Sequence, residues 1–117
     1  MDSARQTLSK EERLSGKTAV SRLMSEGKWF KSEHFKICVI HNELEFNRIL
    51  VSVPKRFFKR AVKRNLLKRR IRESYRTQKQ SCGIQGADIM FFYNVPVILS
   101  FKEIRQEIGQ ILSTTLR

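Results

Sequence analysis

Cysteine, acid and long apolar runs are all scarce in this 117-residue chain, and each shortage excludes something. Two cysteines, Cys38 and Cys82, cannot make a disulfide framework, so a reduced cytoplasmic setting is expected. No apolar stretch approaches the roughly 18–20 residues of a membrane span. The opening MDSARQTLSK has no apolar segment of the kind a secretory signal needs, so no membrane partner is expected. Repeats and low-complexity stretches are also missing.

The materials of a protein nuclease are just as sparse. His34 and His41 lie seven residues apart on one expected strand and so face opposite sides. Asp88 is the only acid inside an apolar strand pattern, and an ordinary strand-edge residue is its simpler reading. No glycine-rich phosphate loop occurs, and the cysteines lack metal-ligand spacing. The chain alone is therefore expected to be inert, with no catalytic residue and no metal ligand of its own.

What is present is a core and a great deal of positive charge. Hydrophobic residues make up 40% of the chain, which excludes wholesale disorder and suits one domain. Residues 1–8 read as a loose tail and 9–117 as the domain. Lys and Arg number 24 against 11 Asp and Glu, a net charge of +13. The excess is concentrated: residues 55–76, KRFFKRAVKRNLLKRRIRESYR, hold 11 basic groups and one acid, Glu73. A polyanion is the natural partner for such a block.

Local patterns give the element order. Ser9 with Glu12 and Ser100 with Glu103 have capping-box spacing. Val20, Leu23 and Met24 mark a short helix over 17–26, with Gly27 at its C′ position. Residues 35–41 and 46–53 alternate as two strands around a polar hairpin loop at Asn42–Glu45, and Pro54 ends the second. The stretch from about 59 to 78 has neither Gly nor Pro and is read as helix. Residues 87–93, ADIMFFY, form a continuous apolar run, a strand covered on both faces. Phe101, Ile104, Ile108, Ile111 and Leu112 then mark a final helix. The fold class is α+β, with the helices packed against one sheet.

The basic helix has a direction. At 100° per residue, Arg64, Asn65, Lys68, Arg69, Arg72 and Arg76 fall within an arc of roughly 140°. Leu67, Ile71, Ser74 and Tyr75 form the neighbouring stripe that docks on the sheet. Like charges at i,i+4 repel, and no acid interrupts them along the arc, so a polyanion must offset the repulsion. A strand rather than a second helix precedes this segment, unlike a helix-turn-helix reader of DNA. Phosphate contacts position without reading sequence, and folded RNA is recognised largely by shape and backbone. RNA is thus preferred to DNA. A ribosomal or assembly RNA-binding protein and a DNA-binding regulator are the rival classes.

The run Arg64-Asn65-Leu66-Leu67-Lys68-Arg69-Arg70-Ile71-Arg72-Glu73 resembles the signature helix of the bacterial ribonuclease P protein subunit, often called the RNR motif. Residues 8–27, the segment SVPKRFFKRAVKRN and the final SFKEIRQEIGQIL resemble the same family in the same order. The resemblance implies an αβββαβα two-layer sandwich like a ribosomal-protein domain, with a left-handed crossover through the basic helix. It implies a subunit, monomeric on its own, that helps a catalytic RNA, using Mg²⁺ bound by that RNA, remove the 5′ leader of precursor tRNA. Carried over by position, Lys55, Arg56, Arg60, Arg64, Asn65, Lys68, Arg69 and Arg72 would contact the catalytic RNA. The leader would lie in a cleft between the sheet and the first helix.

Three departures stand out. Leu66 replaces the usual second arginine, and Lys59, Arg60 and Lys63 are on hand to compensate. One extra residue lies between Pro54 and Ala61, a change that bears on where Phe57 and Phe58 sit. Val20, Met24 and Cys38 occupy cleft positions where the family commonly has aromatic rings, so stacking is expected to be weaker there. Phe35 is left as the aromatic platform, against its plainer reading as a core phenylalanine.

Overall fold

The computed structural model describes residues 9–116; the tail read at 1–8 lies outside them. Helix α1 (Lys17–Glu26) leads into β1 (Lys28–Lys31), β2 (Phe35–His41) and β3 (Arg48–Ser52). The basic helix α2 (Ala61–Arg76) follows, then β4 (Ala87–Tyr93) and α3 (Phe101–Gln110), which continues into a wider turn at Ile111–Thr115. Periodicity predicts neither β1, only four residues long, nor its antiparallel pairing of Trp29 with Cys38 and Lys31 with Lys36.

The sheet order is β1-β2-β4-β3, and this corrects the expected hairpin between β2 and β3. Strand β4 lies between them, antiparallel to β2 and parallel to β3, so α2 is the crossover that joins β3 to β4. The apolar run ADIMFFY gains most from this central position, where both edges and both faces are covered. The 42–47 loop instead closes on the start of β4. The Asn42 N–H donates to the Gly86 carbonyl at 2.9 Å, and Gly86 takes φ +73° where a side chain would strike the Leu44 carbonyl.

Side-chain alternation divides the core in two. Phe35, Ile37, Ile49, Val51, Ile89, Phe91 and Tyr93 face α2 and α3. Cys38, Met90, Leu50 and Phe92 face the other way, where Leu23 of α1 and Leu14 cover part of the sheet. Helices α2 and α3 therefore cover one face of the sheet and α1 part of the other, all packed against one sheet as expected. Helix α1 ends at Gly27 as expected, but with φ −71°. Glycine is needed there for space: a Cβ would meet the Leu23 carbonyl and the Cys38 sulfur.

Helix α2 buries the four residues its periodicity selects, Leu67, Ile71, Ser74 and Tyr75. The Ser74 hydroxyl donates to the Arg70 carbonyl at 2.7 Å, so its burial leaves no donor unpaired. The capping box at α3 is complete, with the Ser100 N–H bound to Glu103 and the Glu103 N–H to the Ser100 hydroxyl. No helix among the described residues is long and apolar enough to cross a membrane.

Candidate nucleic-acid interface

With one stripe of α2 locked into the core, helical geometry leaves the cationic stripe pointing away from the sheet. Asn65 and Arg69 are exposed, while Lys68 and Arg72 are half-buried. Among the described residues, only the end of the ladder is neutralised by the protein itself. Glu73 accepts from Arg76 through both carboxylate oxygens, at 2.9 and 3.0 Å, and this pair holds the Glu73 carboxyl below its ordinary range despite burial's smaller opposing effect. Among the described residues, no carboxylate pairs with Lys68, Arg69 or Arg72. Arg70, on the flank, donates to the Leu99 carbonyl at 2.7 Å and ties α2 to the segment before α3.

Arg64 is partly committed elsewhere. One of its terminal nitrogens donates to the Phe58 and Lys59 carbonyls at 2.7 and 2.9 Å. It thereby holds the loop that carries Lys55, Arg56, Lys59 and Arg60, all exposed. Phe58 anchors that loop, 8% exposed, with its ring 5.9 Å from Tyr93. Phe57 lies under the Arg56 guanidinium, 4.7 Å from carbon to ring centre. The two phenylalanines that sequence left unexplained therefore fix the basic loop, one from the core and one by a cation–π contact.

On the opposite face of the sheet an apolar groove opens beside α1, lined by Met24, Trp29, Phe30, Lys31, Lys36 and Phe92. Two of the four expected cleft residues are fully buried. Phe35 is fully buried on the other face, packed edge-to-face on Tyr93 at 5.5 Å, because odd-numbered residues of β2 point toward α2 and α3. Cys38 is also fully buried; its thiol donates to the Leu23 carbonyl at 3.2 Å, and burial raises its pKa. Val20 is half-buried against this second core, and Met24 alone of the four opens into the groove. The aromatic surface comes instead from Trp29 on β1 and Phe92 on β4. Trp29 is 43% exposed, and Arg56 lies 6.0 Å from the Phe92 ring, which makes the basic loop and the groove neighbours. An exposed tryptophan beside a lysine-rich alternation, KWFK, was the available sequence signal for this surface.

Candidate acid–base groups are occupied in structural bonds. Asp88 accepts two bonds from Arg48, both at 2.8 Å, and one from Asn42. His34 lies in the β1–β2 turn rather than on the strand, and its ring meets Glu107 of α3 at 2.6 Å. Cys38 and Cys82 are free thiols. Among the described residues no three His, Cys, Asp or Glu side chains gather where they could hold a metal ion.

Comparison with known proteins agrees with this geometry. A family model described as Ribonuclease P matches residues 8–116. The ribonuclease P protein component of Petrotoga mobilis is 37% identical over 99 residues, covering 85% of this chain and 82% of the relative. That of Syntrophus aciditrophicus is 30% identical over 107 residues, 92% and 89% of the two chains. The solved structure of the RNase P protein from Thermotoga maritima has a TM-score of 0.78 at 26% identity, over 87% of this chain and 96% of that one. The chain belongs to the ribonuclease P protein family.

Proposed function

We propose that this chain, as the protein component of ribonuclease P, assists a catalytic RNA in removing the 5′ leader of precursor tRNA. The α2 stripe and the 55–60 loop hold the catalytic RNA, and the groove beside α1 takes the leader. The observation that carries this reading is the pairing of two unlike surfaces. One is a rigid row of cations that, among the described residues, has a carboxylate partner only at its end; the other is an apolar, aromatic groove with lysines at its rim.

The division of labour follows from the chemistry of each. Guanidinium and ammonium groups neutralise phosphates and release counterions, which supplies affinity without reading sequence. The Trp29 and Phe92 rings can stack unpaired bases of any identity, as befits a leader that varies between tRNAs. Arg56, held by Phe57 and Phe92, joins the two. In this reading Mg²⁺ is held by the RNA. Two of the protein's carboxylates are already engaged, Asp88 by Arg48 and Asn42 and Glu107 by His34 and Ser32, and among the described residues no three His, Cys, Asp or Glu side chains gather to hold a metal ion. Leaving-group and nucleophile chemistry are accordingly not assigned to any side chain.

Multiple-turnover cleavage of precursor tRNA by the cognate RNA, with and without this protein at low Mg²⁺, tests the proposal. The protein is expected to restore turnover. A protein that binds the RNA tightly yet leaves cleavage unchanged would instead be a structural RNA-binding protein.

A further inference from the structure

We propose that Glu107 of α3 is a positioning residue for the leader groove: from the opposite face of the sheet it clamps the turn between β1 and β2, and so fixes where Trp29 and Lys31 stand. This rests on the reading above that the groove takes the leader. Glu107 lies 75 residues after Ser32 in the chain and acts through the strand, without touching the leader itself.

Strand β1 needs support from outside the sheet. It is four residues long and stands at one end of the strand order, with β2 as its one strand neighbour among the described residues. The register sets Trp29 opposite Cys38 and Lys31 opposite Lys36. Directly paired residues share a face, so Trp29 stands on the α1 side with Cys38, and both lysines line the groove. Like charges directly opposite one another weaken a strand pair. That repulsion acts at the last residue of β1, next to the turn. Phe30 points the other way and is half-buried against the main core, which anchors the middle of the strand.

The end of β1 is held by Glu107. One carboxylate oxygen accepts from the Ser32 hydroxyl at 2.5 Å and from the His34 N–H at 2.8 Å, and the other meets the His34 Nδ1 at 2.6 Å. The Glu107 side chain is 11% exposed, so water competes little for these bonds. Two backbone bonds help. The Ser32 N–H donates to the Phe35 carbonyl and the Asn94 N–H to the His34 carbonyl, both at 2.9 Å. Such bonds ask for no particular side chain, whereas each of the three at Glu107 needs that carboxylate. Helix α3 is itself pinned to the core by Ile104 and Ile108. A rigid helix on one face thereby sets an edge strand that serves the other, and a ring and a cation fixed beforehand bind with less ordering cost.

The test compares Glu107→Ala with Glu107→Gln in the full chain. In the free protein, the emission of Trp29, the single tryptophan, should shift to the red in Glu107→Ala and become more open to acrylamide quenching. In the holoenzyme, the preference for precursor over mature tRNA should fall about fivefold, the net worth of one hydrogen bond. Affinity for the catalytic RNA and its salt dependence should stay at wild-type values. Glu107→Gln keeps a carbonyl oxygen for Ser32 and the His34 N–H, and should recover most of the loss. Ile104→Val loosens the same helix without touching the turn; it should lower the melting temperature and leave the preference intact. Where Glu107→Ala folds poorly, Ser32→Ala removes one of the three bonds and should lower the preference about twofold. The clamp is refuted if Trp29→Ala lowers the preference and neither Glu107→Ala nor Ser32→Ala does, or if Ile104→Val lowers it as much as Glu107→Ala; the leader reading survives both results. A preference unmoved by Trp29→Ala as well would sink that reading itself.

Discussion

Two surfaces on opposite sides of one sheet make an instructive pair. Along α2, cations repeat at helical spacing, and the packing energy comes entirely from the other side of the helix, through Leu67, Ile71 and Tyr75. Beside α1, the helix is short, only Leu23 is fully buried, and the sheet is left partly uncovered so that Trp29 and Phe92 reach the surface. The first surface acts through charge, over a distance set by ionic strength, about 8 Å in physiological salt. The second acts through contact and desolvation, and salt hardly touches it. A ligand with both a phosphate backbone and unpaired bases can use both.

Changing Arg64, Lys68 and Arg72 together to alanine should give the largest effect, flattening log K against log salt for the catalytic RNA by roughly 2 to 3 units. Arg64 also holds the 58–59 carbonyls, so Lys68→Ala with Arg72→Ala should account for most of the change. An unchanged slope would remove these residues from the interface. Next in size is Trp29→Ala in the groove. It should cost about 1–3 kcal/mol of binding per stacked base, seen as weaker binding of precursor tRNA relative to mature tRNA by the holoenzyme, with the salt slope intact. A flattened slope there would mean that the two surfaces are not separate in kind.

The smallest effect concerns the segment before α1, where the Leu14 N–H donates to the Ile49 carbonyl at 2.7 Å and Glu12 accepts from the Lys79 ammonium at 2.9 and 3.0 Å. Burial pushes the Glu12 carboxyl upward, but the Ser9 N–H and Lys79 outweigh it and hold its pKa below the usual 4.5. A carboxyl depressed in the folded state stabilises it fully above the ordinary value, and that contribution is lost as pH falls through 4.5 toward the folded-state value. Protection of the Leu14 amide from hydrogen exchange, corrected for intrinsic rate, should therefore drop over that interval by about 1 kcal/mol. Glu12→Gln should abolish the pH dependence while leaving the groove untouched.

Much of α2 can be read without a structure. Its buried stripe and its cationic arc are properties of a helix 3.6 residues per turn, and both come from residues within one short segment. The second capping box is local in the same way. The α1-side groove resists such reading. Phe35 and Phe92 both sit on apolar strands, and their identity alone does not say which one a neighbouring helix will cover. Strand β1 is too short for its alternation to register, so Trp29 had no element to belong to.

Composition and periodicity by themselves determined that this chain carries a rigid, one-sided polycation on a well-anchored helix, because charge count and helical phase are local sums over neighbouring residues. Only the tertiary structure decided that β4 separates β2 from β3, that Phe35 turns inward while Phe92 turns outward, and that Glu107 meets the turn between β1 and β2. Those outcomes depend on which segments distant in the chain bury one another's apolar faces, a competition settled by the whole fold and recorded in no single stretch of residues.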